Sequence, residues 1–370
     1  MQKPLRIVNY AINGVGTGHV TRLIAISRGL RRTAQQLNVP IEIYFLTSSE
    51  ASTLLFAEGF PSFKLPSRTI IAEAGIDESV FLEVARRWVC DTLSALQPDL
   101  LLVDTLPQGY FEELDPFLTT DAKSVFIYRP LKDSHANQPQ FQSALSHYNL
   151  ILVPEYEANA PVLVPSALRD RVRHIGPIIK REQAEVFERE EARRVLGIGD
   201  DQLAIYISAG GGGDQNAERL IEYAYEALGG TRAFHLVIGG GPLYRGRCIY
   251  GDCVTWLTNG STVELVTAFD VAVSAAGYNS FNELMHFGVP TVFWPQEKWA
   301  DDQKARAERA ASVGAAVVLD ADGASLRKTV ERFRDPAERL AASCAARKLV
   351  PRNHASEAAS AVLDLVMSVE

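Results

Sequence analysis

Three short stretches hold the residues best able to do chemistry, each at a point where an apolar run gives way to small residues. The first reads Asn13-Gly14-Val15-Gly16-Thr17-Gly18-His19-Val20-Thr21-Arg22. Alternate glycines, Gly16 and Gly18 among them, make a loop that backbone or ligand can approach closely. His19 stands where a helix begins, and an imidazole there suits proton transfer; a helix-capping histidine fits the same position. A dinucleotide-binding fingerprint, Gly-x-Gly-x-x-Gly, has glycine where His19 stands, which argues against a dehydrogenase. The second stretch, Ser208-Ala209-Gly210-Gly211-Gly212-Gly213-Asp214, precedes another helical run. Bare amides at a helix start attract phosphate, and a plain strand-to-helix turn is the alternative.

The third stretch is the richest: Ser274-Ala275-Ala276-Gly277-Tyr278-Asn279-Ser280-Phe281-Asn282-Glu283, then Gly288-Val289-Pro290, Pro295 and Asp302-Gln303. Gly277 admits a ligand to the backbone, while Asn279 and Ser280 offer donors to a diphosphate beside free helix amides. Glu283 lies one turn deeper. A carboxylate accepts two hydrogen bonds from vicinal hydroxyls, so Glu283 suits a ribose diol and Asp302 with Gln303 suits a hexose. A capped helix with surface acids is the bland counterpart.

Short apolar runs with helical stretches between them must position these residues. One series is 7–11, 41–46, 100–103, 125–128 and 150–153; a second is 203–207, 234–238, 271–273, 291–294 and 315–318. Such alternation predicts two parallel-sheet α/β domains, 1–177 and 178–353, and an Ala-rich pattern predicts a terminal helix over 354–370. Gly176-Pro177 marks the boundary, and the charged run from Lys180 to Arg194 reads as a linker with an exposed helix.

The 370 residues are 47% hydrophobic and 22% charged, which excludes disordered and low-complexity classes. A net charge of −8 argues against general affinity for nucleic acid or anionic membrane. The scattered cysteines Cys90, Cys248, Cys253 and Cys344 form no zinc pattern and read as reduced thiols. No apolar run reaches the ~18 residues of a membrane span, and no secretory leader is visible, so the expected location is the cytoplasm.

The spacing Gly-aromatic-Asn-Ser-x-x-Glu, then Gly-Val-Pro, then Pro resembles the donor-binding signature of nucleotide-sugar-dependent glycosyltransferases of the GT-B fold. It matches the plant UDP-glycosyltransferases in spacing, and the interval from Pro295 to Gln303 and the glycine loop before His19 resemble the bacterial peptidoglycan N-acetylglucosaminyltransferase. The resemblance implies two Rossmann-like domains facing across a cleft, the first (1–177) binding the acceptor and the second (178–353) the nucleotide sugar, with the terminal helix 354–370 packing back on the first. It also implies inverting transfer of a sugar, from a UDP-sugar by default, to a hydroxyl. It makes His19 the base and Asp104, at the end of Leu100-Leu101-Leu102-Val103, the acid that orients it; an ordinary strand-end turn also suits Asp104. Gly16, Gly18, Ser208, Gly210, Gly211, Ala276, Gly277, Tyr278, Asn279, Ser280, Glu283, Asp302 and Gln303 become donor contacts. No metal or other cofactor is implied, and the acceptor is a small or lipid-linked molecule that the sequence leaves open. A hydrolase or epimerase of the same fold, or a non-catalytic nucleotide-sugar binder, shares these features.

Departures concern the nucleotide. Ala275 replaces a histidine of the plant signature, and the base-stacking tryptophan falls at Val254, with Trp256 nearby. Arg129, after Tyr128, is a candidate clamp for a phosphate or an acceptor carboxylate. Asp320-Ala321-Asp322 has a metal-binding spacing but reads as a solvated turn, and His235 reads as a satisfied strand histidine. Leu82 to Leu96 carries Val84, Trp88, Val89 and Leu93 beside Arg86 and Arg87; a core-facing helix explains it better than membrane contact.

Overall fold

The computed structural model describes residues 3–12, 16–110, 112–118, 120–159, 162–257, 262–298, 300–319 and 325–367. The chain divides into two compact units, one reaching Ile178 and resuming at His354, the other running from Ile179 to Asn353.

Seven parallel strands form the first unit's sheet: β1 (Leu5–Ala11), β2 (Ile41–Thr47), β3 (Ser62–Lys64), β4 (Leu100–Asp104), β5 (Lys123–Ile127), β6 (Leu150–Val153) and β7 (Val172–His174), in the order β3-β2-β1-β4-β5-β6-β7. Central strands are covered on both faces, so their apolar runs are continuous rather than alternating. One face packs Ile7, Leu100, Leu102 and Val125 against Leu23, Ile26 and Leu30 of α1 (Gly18–Leu37), and the other packs Val8, Leu101 and Phe126 against Val89 and Leu93 of α2 (Glu78–Leu96). Each such side chain contributes about 1.5–3 kcal/mol on full burial.

The second unit holds six parallel strands: β8 (Leu203–Ser208), β9 (Phe234–Gly239), β10 (Val254–Leu257), β11 (Val271–Ser274), β12 (Thr291–Phe293) and β13 (Ala316–Val318), ordered β10-β9-β8-β11-β12-β13. Helices α3 (Asn216–Leu228), α4 (Tyr278–Phe287) and α5 (Gln303–Ser312) follow β8, β11 and β12.

The last helix, α6 (Ala355–Met367), belongs to the first unit and crosses α1 closely. Small residues make the crossing feasible: a Cβ on Gly29 would stand 2.9 Å from both the Ala355 carbonyl oxygen and the Ala359 Cβ. Ala358, Ala359 and Val362 complete the core there.

Two expectations need correction. Strands β3, β7 and β10 lie outside the predicted runs because all three are sheet edges, short and without fully buried residues. The stretch from Lys180 to Arg194 is only in part the exposed linker expected: Gln183, Ala184 and Phe187 to Glu191 are exposed, but Lys180, Arg181 and Arg193 are buried. Arg181 Nε meets Glu264 at 2.7 Å, and Arg193 reaches Asp270 at 3.2 Å and the carbonyls of Gly199 and Gln202. Charge in the sequence reads as exposure until its buried partners, more than 70 residues away, are known.

Candidate active site

Strand order reverses between β1 and β4 in one sheet and between β8 and β11 in the other, and the loops that leave such a switch point diverge to leave a crevice at the carboxyl edge. Register makes each edge level. Tyr10 pairs with Val103, so Ala11 and Asp104 end side by side. In the second sheet Leu257, Gly239, Ser208, Ser274, Phe293 and Val318 form one row. The described residues of the three stretches therefore leave the carboxyl edge of their own sheet beside the switch point, or the next strand outward.

In the first unit His19 sits in the opening turn of α1, and its Nδ1 lies 2.9 Å from Asp104 Oδ1 and 3.2 Å from the Asp104 main-chain oxygen. Nδ1–H donating to the carboxylate leaves the Nε2 lone pair available, and Nε2 makes no hydrogen bond to another described residue. Asp104 is fully buried and Arg22 is only 1% exposed. Nε of Arg22 donates to Oδ2 at 2.8 Å and Nη2 to Oδ1 at 2.6 Å, and the Thr105 hydroxyl donates to Oδ1 at 2.6 Å. Burial alone would push the Asp104 carboxyl up, but Arg22 and His19 hold it well below the usual carboxylate range.

Arg22 had no assigned role in the sequence, although its place three residues after His19 puts both on one helix face. Thr105 adopts φ +66°, an outlying conformation for a β-branched residue, and such strain collects at functional sites. Arg129 lies two residues beyond Ile127, the register partner of Asp104, and is half-buried. Gly18 meets no neighbour that a Cβ would strike, Gly16 borders undescribed residues, and Asn13 to Val15 lie outside the described residues.

In the second unit Gly277 is the N-cap of α4 and has no side chain to cap it, so no capping side chain competes with an anion at that helix end. Ala276, buried, turns the chain into the helix at φ +62°. Nη1 of Arg306 donates to its carbonyl at 2.8 Å, while the guanidinium pairs with Asp301 and stands 5.8 Å from the Tyr278 ring centre. Asn279 and Ser280 are half-buried in the first turn. Glu283, one turn deeper, makes no hydrogen bond among the described residues; burial pushes its carboxyl up to about 7, against the pull of Lys180.

The glycine loop after β8 interleaves with a second one after β9. The Ala209 and Leu243 amides donate to the carbonyls of Gly239 and Gly211 at 3.1 and 3.0 Å. Gly212 has φ +79°, and a Cβ there would fall 2.1 Å from the Gly240 carbonyl oxygen. Ser208 Oγ accepts from the Gly210 amide at 3.3 Å, and Asp214 is tied by Lys298 to the loop after β12. Burial raises the Asp214 carboxyl, but Lys298 and the Asn216 amide outweigh it and hold it low. The Gly239–Gly241 loop and Lys298 were missed in the sequence; a third glycine run after a strand was the available signal.

Two predicted sugar contacts have internal duties. Asp302 caps α5 by accepting from the Ala305 amide at 3.0 Å, and Gln303 is buried with Oε1 accepting from the Gln296 amide at 3.0 Å. Trp256 packs against Tyr244 with ring centres 5.3 Å apart, and Val254 sits in the edge strand β10. His235 bonds Gln202 and Thr255, a satisfied strand histidine. Asp320 to Asp322 lie outside the described residues. In α2 the buried face is Phe81, Ala85, Val89 and Leu93, whereas Val80 and Val84 are 61% and 55% exposed. At the opposite, amino edge of the second sheet a cavity of about 640 Å³ is lined by arginines, among them Arg189 and Arg193, already engaged with Asp270.

Comparison with known proteins agrees with this architecture. The glycosyltransferase family 28 C-terminal domain matches residues 252–361. A UDP-N-acetylglucosamine--N-acetylmuramyl-(pentapeptide) pyrophosphoryl-undecaprenol N-acetylglucosamine transferase of Cutibacterium acnes is 26% identical, over 98% of this chain and 99% of its own. The protein of that name from Aquifex aeolicus is 27% identical over 45% of this chain and 49% of its own. The chain spans about half the length of that relative and of two others. Spinosyn forosaminyltransferase SpnP superposes over 99% of this chain and all of its own, with TM-score 0.68 at 15% identity. The fold is that of the GT-B glycosyltransferases.

Proposed function

We propose that this GT-B protein is an inverting glycosyltransferase that moves a sugar from a nucleotide diphosphate to a hydroxyl of an acceptor. The observation that carries the reading is the pairing of half-buried His19 with buried Asp104 at a switch point, with Nε2 of His19 left to accept a proton. His19 takes the acceptor proton as the oxygen attacks the anomeric carbon, and Asp104 fixes the tautomer that leaves Nε2 unprotonated. The diphosphate leaves onto the α4 amides, the glycine loop, Asn279 and Ser280, and Glu283 accepts from the ribose diol.

UDP is the proposed nucleotide, since the relatives matched over the chain are named for UDP-N-acetylglucosamine. Amides and side chains offset the leaving charge in this reading, so a chelator leaves the rate unchanged. The free cysteines suit a cytoplasmic enzyme. No helix among the described residues is long and apolar enough to cross a membrane. Val80 and Val84, exposed near Arg86 and Arg87, make vesicle flotation the check for a membrane-borne acceptor.

Thermal shifts with UDP, GDP, dTDP and their sugars, without metal, test the donor site; nucleotide release with an acceptor panel then tests transfer. One nucleotide should stabilise selectively, and its sugar form further. Release without acceptor indicates a hydrolase, binding without turnover indicates a sensor, and no shift with any ligand removes the donor site.

A further inference from the structure

Burying an arginine is costly, and an ion pair in a core is weak reason for keeping it, because apolar side chains pack as well. Arg22 is nonetheless buried beneath the opening turn of α1, its fork spent on the carboxylate that His19 touches. Among the described residues, the charged groups acting most on Asp104 are Arg22 and His19, both on α1. Oδ1 of Asp104 is shared by His19, Arg22 and Thr105, and Oδ2 is held by Arg22. When His19 takes a proton, it therefore meets a carboxylate whose charge is already matched, a guanidinium on the far side of it, and the positive end of its own helix.

We infer that Arg22 is a positioning residue that cancels the charge of Asp104, so that the carboxylate orients His19 without making it hold a proton. A histidine paired with a lone buried carboxylate would bind a proton tightly and could not act as a base until it was lost. With Arg22 present, orientation and proton affinity are set separately. The inference rests on the proposed role of His19, but its central measurement needs no substrate.

The experiment follows the His19 imidazole by NMR through a pH titration in the whole protein, assigned with His19→Gln, in the parent, Arg22→Met, Asp104→Asn and the double variant. Arg22→Met should move the titration up by roughly one pH unit, and Asp104→Asn down by a comparable amount. The double variant should return close to the parent, since a neutral pair replaces a neutral pair. The acid limb of kcat/KM should move in parallel, whereas a purely structural role would lower the plateau and leave the limb in place. A double variant that titrates like Asp104→Asn overturns the inference, as does an unmoved titration in folded Arg22→Met. Should Arg22→Met fail to fold, the double variant, which leaves no lone buried charge, decides alone. Absence of transfer with every donor would defeat the proposed function and leave the Arg22 test standing.

Discussion

At the scale of single residues, two groups make opposite predictions. His19→Gln should cut turnover by about 10²-fold or more while nucleotide affinity stays put, because the imidazole is invoked only where a proton moves; calorimetry beside initial rates checks both halves. Glu283 works through its charge. Its carboxyl, ordinarily near 4.5, is raised to about 7, so between those values the folded chain holds a proton that the unfolded chain has released. The group favours folding fully below pH 4.5, and that contribution is lost as pH rises through 7. Glu283→Gln should therefore melt above the parent at pH 8 and level with it at pH 4.5. Ribose hydroxyls need the ionised form, so nucleotide affinity should climb from pH 6 to 8 in the parent and lose that climb in Glu283→Gln, where binding weakens by roughly 1.5–3 kcal/mol.

Elements carry the next level. The two glycine loops after β8 and β9 touch so closely that Gly212→Ala faces both a left-handed φ and the Gly240 carbonyl. It should destabilise the second unit by about 1–3 kcal/mol or more and weaken nucleotide binding, whereas Gly251→Ala, with no neighbour nearer than 3.8 Å, should do neither in parallel denaturant melts. What could be read from sequence follows burial. Central strands such as β4 announce themselves because both faces need apolar residues, while edges such as β7, with Arg173 and His174, look like loops. Types and spacing located His19, Gly277 and Glu283 because helix starts and small residues are local signals. Asp104 came through resemblance alone, and the Arg22 fork was hidden because its partner lies 82 residues away. The capping duty of Asp302 was open to a sequence reading, as an aspartate just ahead of a helix.

At the scale of the whole molecule, this architecture predicts unfolding in two steps. Each unit has its own cores, so denaturant melts should show two transitions, and saturating nucleotide should move only that of the second unit, by about 2.7 kcal/mol at a hundredfold excess over Kd. Residues 179–353 form an unbroken segment and should bind nucleotide when expressed alone; a chain cut before His354 should lose the other transition, because Leu23, Ile26 and Leu30 lose the alanine face of α6. That return of α6 onto Gly29 also orders events on the ribosome. Synthesis runs from His19 towards Met367, yet the unit begun first is finished after the second: the proposed nucleotide site can form while its companion still waits for the thirteen residues of α6. A prematurely terminated product would thus hold donor without a settled base, and quality control acting on the open α1 surface would remove it before it could sequester nucleotide sugar.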